Sequence, residues 1–144
     1  MLKLDFNGDE YTRRYESRVR DEGYVGLGVP GGTTTLMIVM MTASSEVVSL
    51  VLSCGANIQS LDVMGNDAFI FASMFGRPKN LQCWLERDKD WDLNRQNTVV
   101  GGCALGCAVY VGANKLEAVK ILLDAGASIQ YRTFVGGTLL MNVV

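Results

Sequence analysis

The sequence predicts an all-α protein built as a solenoid of repeated helix–turn–helix units. A glycine-led motif occurs four times along the chain. Its leading residues, Gly32, Gly65, Gly101 and Gly136, are 33, 36 and 35 residues apart. The first three copies each continue with an apolar helical pattern, a break and a second helical pattern. A period of about 20 to 50 residues is typical of repeat architectures, in which neighbouring units bury each other's apolar faces.

The breaks and helix ends define each unit. Gly55 and Gly126 follow second helices, and a glycine there closes the last turn in the left-handed conformation without a steric penalty. The predicted breaks fall at Ala43, Gly76 and Gly112, and the predicted second helices cover 46–52, 80–85 and 116–123.

The first unit has the most complete motif. Glu46, Val48, Leu50, Leu52, Gly55 and Ala56 occur at the spacing of an E-x-V-x-L-x-L helix followed by G-A. This pattern resembles the ankyrin repeat family, and Leu123 to Ala127 repeats its end. The resemblance implies an ankyrin-like solenoid of about three repeats plus a truncated fourth, with Leu50 in the core and hairpin fingers near 58–65, 91–101 and 129–136. The repeat domain would cover 32–144, divided into 32–64, 65–100, 101–135 and the partial unit 136–144.

Residues 1–31 have a different pattern. Tyr11, Tyr15 and Val19 are four residues apart, which predicts one apolar stripe on a short helix. Glycines and Pro30 follow and indicate a linker. We expect residues 1–31 to form a helix and linker that cap the open end of the solenoid, because terminal repeats need a polar outer cover.

Composition limits the chemistry. The chain has no histidine, and 13 basic against 15 acidic side chains give a net charge of −2. The missing imidazole removes the commonest general base and metal ligand, so we expect no enzyme and no cofactor. No basic excess is present to bind nucleic acid. We expect no transmembrane segment, because the apolar stretches are far shorter than about 20 residues. Four cysteines without a signal sequence predict reduced thiols in an intracellular protein, cytoplasmic by default, although the sequence does not distinguish an organelle.

Two segments near the N-terminus resemble ligand loops. Residues 26–31 match G-x-G-x-x-G, but no strand pattern precedes them, which favours a flexible loop. Residues 5–16 place acidic and amide side chains at several positions of an EF-hand calcium loop. Glu10 replaces its required glycine and Arg13 occupies a ligand position, so a helix cap in an acidic segment is the favoured interpretation.

Two further clusters contain residue types that can bind metal ions. Cys103 and Cys107 are four residues apart on a predicted helix, but a zinc site needs four ligands, and we interpret both as small packing residues. Asp88, Asp90 and Asp92 alternate with Lys89 and Trp91, which is typical of a solvated edge. No metal site is therefore predicted.

The resemblance also implies a recognition surface. In the ankyrin fold three positions of each first helix face away from the core, and eight of the nine equivalents here are apolar or aromatic. A patch of this kind is typical of a protein interface. The alternative is that the units have rotated and some of these side chains face the core. The predicted partner-binding residues, with three from the fingers, are Ile38, Met41, Met64, Phe71, Met74, Phe75, Tyr110, Val111, Tyr131 and Phe134.

The function expected from these features is a non-catalytic protein–protein interaction module, an adaptor or structural subunit of a larger assembly. The alternative is that the chain is the non-catalytic repeat segment of a calcium-regulated or enzymatic multidomain protein. Calcium binding by residues 5–16 would favour the alternative.

Overall fold

The computed structural model describes residues 31–111, 114–134 and 136. These residues form six α-helices and none of them belongs to a β-strand. The helices occur in three successive pairs, and in the first two pairs a short turn interrupts the helices at the predicted breaks, Ala43 and Gly76. The helices are α1 Thr35–Thr42, α2 Ser45–Ser53, α3 Ala68–Met74, α4 Pro78–Arg87, α5 Ala104–Val111 and α6 Lys115–Asp124.

Local sequence fixes several helix ends. The Thr34 hydroxyl accepts a hydrogen bond from the Met37 amide at the start of α1, and the Asp67 carboxylate accepts one from the Ile70 amide at the start of α3. Pro78 begins α4, where its missing N–H group has no helical partner to lose. Gly55 and Gly126 have φ angles of +85° and +98° after α2 and α6, as predicted.

The six helices form two rows. The first-helix row consists of α1, α3 and α5, which contact one another in that order. The second-helix row consists of α2, α4 and α6, and each of these helices contacts the partner that precedes it in the chain. Because α3 has α1, α5 and α4 as neighbours, it lies at the centre of the described part of the molecule.

The core runs along the contact between the two rows. All seven residues of α3 are buried, and the same core cluster includes Val48 and Leu52 of α2, Leu81 and Trp84 of α4, and Ala118 and Leu122 of α6. Phe69 and Trp84 are in ring contact with a centroid distance of 5.9 Å, and Trp91 meets Trp84 edge-on at 5.0 Å. The expectation that Leu50 belongs to this core is wrong, because its side chain is 63% exposed.

The loops between the pairs are joined side by side. The Val63 amide donates to the Gly31 carbonyl, the Thr98 amide to the Met64 carbonyl, and the Phe134 amide to the Val100 carbonyl, with N–O distances of 3.0, 3.1 and 3.0 Å. The donors are 35 and 36 residues apart, so one bond recurs with the period of the sequence. The loops therefore stack as regularly as the helices.

The opposite edge is joined through the turns within the pairs. Arg77 Nη2 donates to the Ala43 carbonyl at 2.6 Å, Asn80 Nδ2 donates to the same oxygen at 3.0 Å, and Asn114 Nδ2 donates to the Gly76 carbonyl at 3.3 Å. Loops therefore lie at the N-terminal ends of the first helices and turns at their C-terminal ends. We call these the loop edge and the turn edge.

Several sequence predictions concern residues outside the described part. These are the helix and linker over 1–30, the calcium-like loop at 5–16, the glycine loop up to Pro30, the break at Gly112 and most of the partial unit 136–144. In the described residues, no helix is both long enough and apolar enough to cross a membrane.

Candidate protein-interaction surface

Four of the predicted partner-binding residues are core residues. Met41, Met64, Phe71 and Met74 are at most 4% exposed, so the expectation that they face a partner is wrong. For Phe71 and Met74 the physical reason is the position of α3, which contacts three helices and has no charged residue. A helix that is hydrophobic on all sides is a buried helix. The interpretation that some of these side chains face the core is therefore the correct one for this group.

The other predicted residues keep some access to solvent but are divided between two edges. Ile38, Phe75 and Tyr110 are half-buried, and Phe75 and Tyr110 lie near the turn edge. Tyr131 is half-buried and Phe134 is exposed at the loop edge. The Val111 side chain lies outside the described residues. One continuous groove through all ten residues is therefore not what the structure shows.

Phe134 is the most exposed member of the set. Its side chain is 62% exposed, although its amide is bonded to the Val100 carbonyl. The ring lies against Gly101, where a Cβ atom would come within 2.8 Å of Cδ1. Gly101 also has a φ angle of +72°, which favours glycine. A side chain at this position would therefore strain the turn and also collide with the ring. The backbone thus holds an exposed aromatic ring at a defined position.

The Tyr131 side chain packs against α5 at the loop edge. Its hydroxyl and ring occupy the space where a Cβ atom of Gly106 would lie. Gly106 is in α5, so the tyrosine links the last described loop to the first-helix row. The glycine at this position therefore makes room for an aromatic side chain.

A buried polar ladder holds the loops in register. Asp62 Oδ1 accepts hydrogen bonds from the Met64 and Asn66 amides, both at 2.8 Å, and Asn66 Nδ2 donates to Asp62 Oδ2 at 3.1 Å. Asn97 Nδ2 in turn donates to Asn66 Oδ1 at 3.1 Å. Asn97 Oδ1 also accepts from three consecutive backbone amides, those of Val100, Gly101 and Gly102. The residue types of this ladder are those that satisfy buried backbone groups in turns.

The carboxylates of the loop edge have perturbed acidity because they are buried. Burial raises the pKa of Asp62 to about 6, although the hydrogen bonds from Asn66 and Met64 oppose the shift. Burial also raises the pKa of Asp67, which lies 3.7 Å from Arg95 Nη1. Arg95 also donates to Gln59 Oε1 at 3.1 Å. These groups therefore join the loops through buried hydrogen bonds and one ion pair.

Charge is distributed unevenly over the surface. Residues 31–76 contain three charged side chains, Glu46, Asp62 and Asp67. Asp62 and Asp67 are buried, which leaves Glu46 as the one exposed charge of that stretch. The exposed surface of residues 31–76 is therefore nearly uncharged.

Sequence reasoning missed a set of exposed apolar residues at the two ends of the stack. Val47 and Leu50 of α2 and Leu61 of the first loop lie at one end, and Leu116, Leu123 and Ile129 lie at the other. A comparison of equivalent positions could have found some of them, because Ile58 lines a small cavity together with Trp84 and Arg87 of the following unit. Its equivalent Ile129 lacks such a cover among the described residues, and it is 56% exposed.

The predicted metal and thiol candidates are packing residues. Cys103 and Cys107 are buried in α5 and the turn before it, and burial raises the pKa of both thiols. Within the described ranges, no group of three or more cysteine, aspartate or glutamate side chains is arranged to hold a metal ion. Asp90 and Asp92 are exposed beside the half-buried Asp88, as expected for a solvated edge.

Comparison with known proteins adds no relative. The chain matches none of the protein-family models with which it was compared, and the search of curated proteins returned no match.

Proposed function

We propose that this chain is a non-catalytic protein-binding module of the ankyrin-repeat type, serving as an adaptor or structural subunit in a larger intracellular assembly. The repeated interloop bond, the two helix rows and the glycines in the left-handed conformation at Gly32, Gly65, Gly101 and Gly136 support the ankyrin-like arrangement. The four free cysteines, two of them buried, support a reducing compartment.

The proposed contact surface is the loop edge. Its exposed apolar side chains are Leu61, Ile129 and Phe134. Binding residues are often carried on loops that a rigid scaffold positions, and here the loops are fixed by backbone bonds and by the Asp62–Asn66–Asn97 ladder. Preordered loops reduce the entropy lost on association. The half-buried Phe75 and Tyr110 offer a second, smaller apolar contribution at the turn edge.

Phe134 is the single observation that supports this function most strongly. An aromatic ring that is largely exposed yet positioned by its backbone has the character of an interface anchor. Burying it in a partner removes apolar surface from water without a large ordering cost. The buried residues Phe71 and Met74 contribute indirectly by fixing the first-helix row.

The test is affinity purification of the full chain from cells of its source, with the retained proteins identified by mass spectrometry. Phe134→Ser should lose a partner that the unchanged chain retains, with an affinity reduction of at least about tenfold, or 1.4 kcal/mol. Leu116→Ser is the matched control, because Leu116 is also largely exposed, at 70%, but lies on α6. A partner that is bound equally by the Phe134→Ser variant would contradict the role of the loop edge.

A further inference from the structure

A small cavity lies at the loop edge, between the first two helix pairs. It is lined by Leu52 of α2 and Ile58 of the loop after it, and by Trp84, Arg87 and the α4 cap residue Asp88. Its volume is about 110 Å³. Arg87 is exposed and Asp88 is half-buried, so the cavity opens to solvent beside these two side chains.

The Trp84 indole supplies the cavity lining with a hydrogen-bond donor that has no partner. Its side chain is 1% exposed, and Nε1 has no acceptor among the described residues. Ring contacts to Phe69 and Trp91 hold the indole in place. A buried N–H group that stays unpaired is destabilising, and native structures almost always give it an acceptor. An occupant of the cavity would provide that acceptor.

The two charged residues at the opening have opposite signs. Arg87 Nη2 donates to the Leu52 carbonyl at 3.1 Å, which fixes the guanidinium beside the cavity. A guanidinium has further N–H groups that can reach an occupant, whereas the Asp88 carboxylate is an acceptor. The lining therefore offers donors from Trp84 and Arg87, an acceptor from Asp88 and no net charge.

A primary carboxamide is the neutral group that can bond to all three. Its oxygen accepts from N–H groups, and its NH₂ group donates to a carboxylate. A carboxylate in this place would be repelled by Asp88, and a cation would be repelled by Arg87 and leave the indole N–H unpaired. Leu52 and Ile58 form an apolar wall that suits a methylene stem.

We propose that this cavity binds the side chain of a glutamine presented by a protein partner. The glutamine side chain is slightly smaller than benzene, which occupies a cavity of about 150 Å³, so it matches the volume available here. The peptide backbone of the partner stays outside and contacts the surrounding loops. This inference rests on the function proposed above, because it names a chemical feature of the partner that binds the loop edge.

The test is an NMR titration of the isotope-labelled full chain with N-acetylglutamine methylamide. The chain has two tryptophans, so Trp91→Phe assigns their indole N–H signals. We expect a saturable downfield shift of the Trp84 indole proton, with half-saturation in the millimolar range expected for so small a ligand. The charged and apolar analogues, N-acetylglutamate methylamide and N-acetylleucine methylamide, should bind at least about tenfold more weakly.

Three results of this titration would overturn the proposal. A shift that does not saturate would mean that the cavity holds water only. Equal affinity for the three probes would show that the lining does not select a carboxamide. Tighter binding of free glutamine than of the capped probe would assign the site to a small metabolite rather than to a partner's side chain.

A cavity-filling variant locates the binding. Ile58→Phe should reduce the affinity for the glutamine probe by at least about tenfold, because the larger side chain occupies the space of the ligand. Ile129→Phe is the matched control, since Ile129 is the equivalent residue of the third unit and is 56% exposed. Its affinity should match that of the unchanged chain. Probe binding that survives in Ile58→Phe would place the ligand elsewhere and reject the proposal.

A charge variant leaves the cavity volume unchanged and covers the case in which Ile58→Phe does not fold. Asp88→Asn removes the charge that repels a carboxylate, so the preference for the glutamine probe over the glutamate probe should fall by at least about threefold. Asp90→Asn, at an exposed neighbouring position, should keep the preference. An unchanged preference in Asp88→Asn would contradict selection of a carboxamide by this lining.

Failure of this proposal is distinguishable from failure of the proposed function. The titration needs no partner, so a lack of probe binding rejects the glutamine site even when Phe134→Ser loses a captured protein. A partner captured equally by Ile58→Phe and by the unchanged chain would also reject it. A chain that binds the probe but captures no protein would contradict the proposed function, and with it the partner as the source of the glutamine.

Discussion

The two helix rows bury their side chains in different ways. In the first-helix row, α3 is buried at every residue, whereas α2 in the second-helix row buries only Val48 and Leu52 out of nine residues. The helices of the first-helix row contain no charged residue, whereas α2, α4 and α6 all carry charged side chains, so composition separates the rows. The number of neighbours adds to this difference between α3 and α2, because α3 contacts three helices and α2 contacts two. Burial in this fold therefore depends on the place of a helix in the stack as much as on its sequence.

Phe71 of α3 tests this difference most strongly. Its side chain is fully buried, so Phe71→Ala leaves a cavity at the centre of the first-helix row. We expect the free energy of unfolding to fall by about 3–5 kcal/mol, measured by urea denaturation. Phe134→Ala removes the same side chain from a 62% exposed position and should cost much less. Equal losses for the two variants would contradict the assignment of Phe71 to the core.

Leu52 and Leu50 test the same idea within one helix. They are two residues apart in α2, one 2% and the other 63% exposed. Leu52→Ala should reduce the free energy of unfolding by about 2–5 kcal/mol. Leu50→Ala should cost less than about 1 kcal/mol from the described contacts. A loss at Leu50 as large as that at Leu52 would contradict the exposed position of Leu50.

These two comparisons of buried and exposed residues also show which parts of the fold the sequence predicts. The helix pairs, the breaks at Ala43 and Gly76 and the left-handed glycines at Gly55 and Gly126 were predicted correctly, because each depends on local backbone preferences. The polarity of a helix face is also local. Whether that face meets the core or solvent is not local, because it depends on which helices lie beside it.

The candidate surface was predicted less well for that reason. Phe71 and Met74 were assigned to a surface because an apolar position on a short helix looks the same whether it meets a partner or a neighbouring helix. Phe134 was identified, but its support by Gly101 and the role of Gly106 beneath Tyr131 depend on contacts between distant residues. The Asp62–Asn66–Asn97 ladder crosses two loops and has no local signature for the same reason.

The loop before the first helix of the second pair contains a buried carboxylate, so the stability of this region should depend on pH. The loop before α3 contains buried Asp62, whose pKa is raised to about 6, above the unfolded value of about 3.9. The folded state therefore binds this proton more tightly. Its stabilising contribution is complete below about pH 4 and is lost as the pH rises through 6.

Denaturation at several pH values should reveal this contribution. The free energy of unfolding should fall by about 2–3 kcal/mol between pH 4 and 6.5 on account of Asp62, with Asp67 acting in the same direction. Asp62→Asn should reduce the slope. The exposed Asp90→Asn control should leave the slope unchanged, and a slope that persists in Asp62→Asn would assign it to other groups.

The smallest effect concerns the helix caps of the first pair. Thr34 caps α1 through a hydroxyl that accepts from the Met37 amide, whereas the Ser44 side chain makes no capping bond at α2. Thr34→Ala should therefore lower the free energy of unfolding by about 0.5–2 kcal/mol. Ser44→Ala, at an exposed turn, should change it by less than about 0.5 kcal/mol. Thermal melting of the two variants should show the larger loss of stability for Thr34→Ala, because α1 begins at a packed loop and α2 at a solvated turn. A Ser44→Ala loss as large as that of Thr34→Ala would contradict this difference.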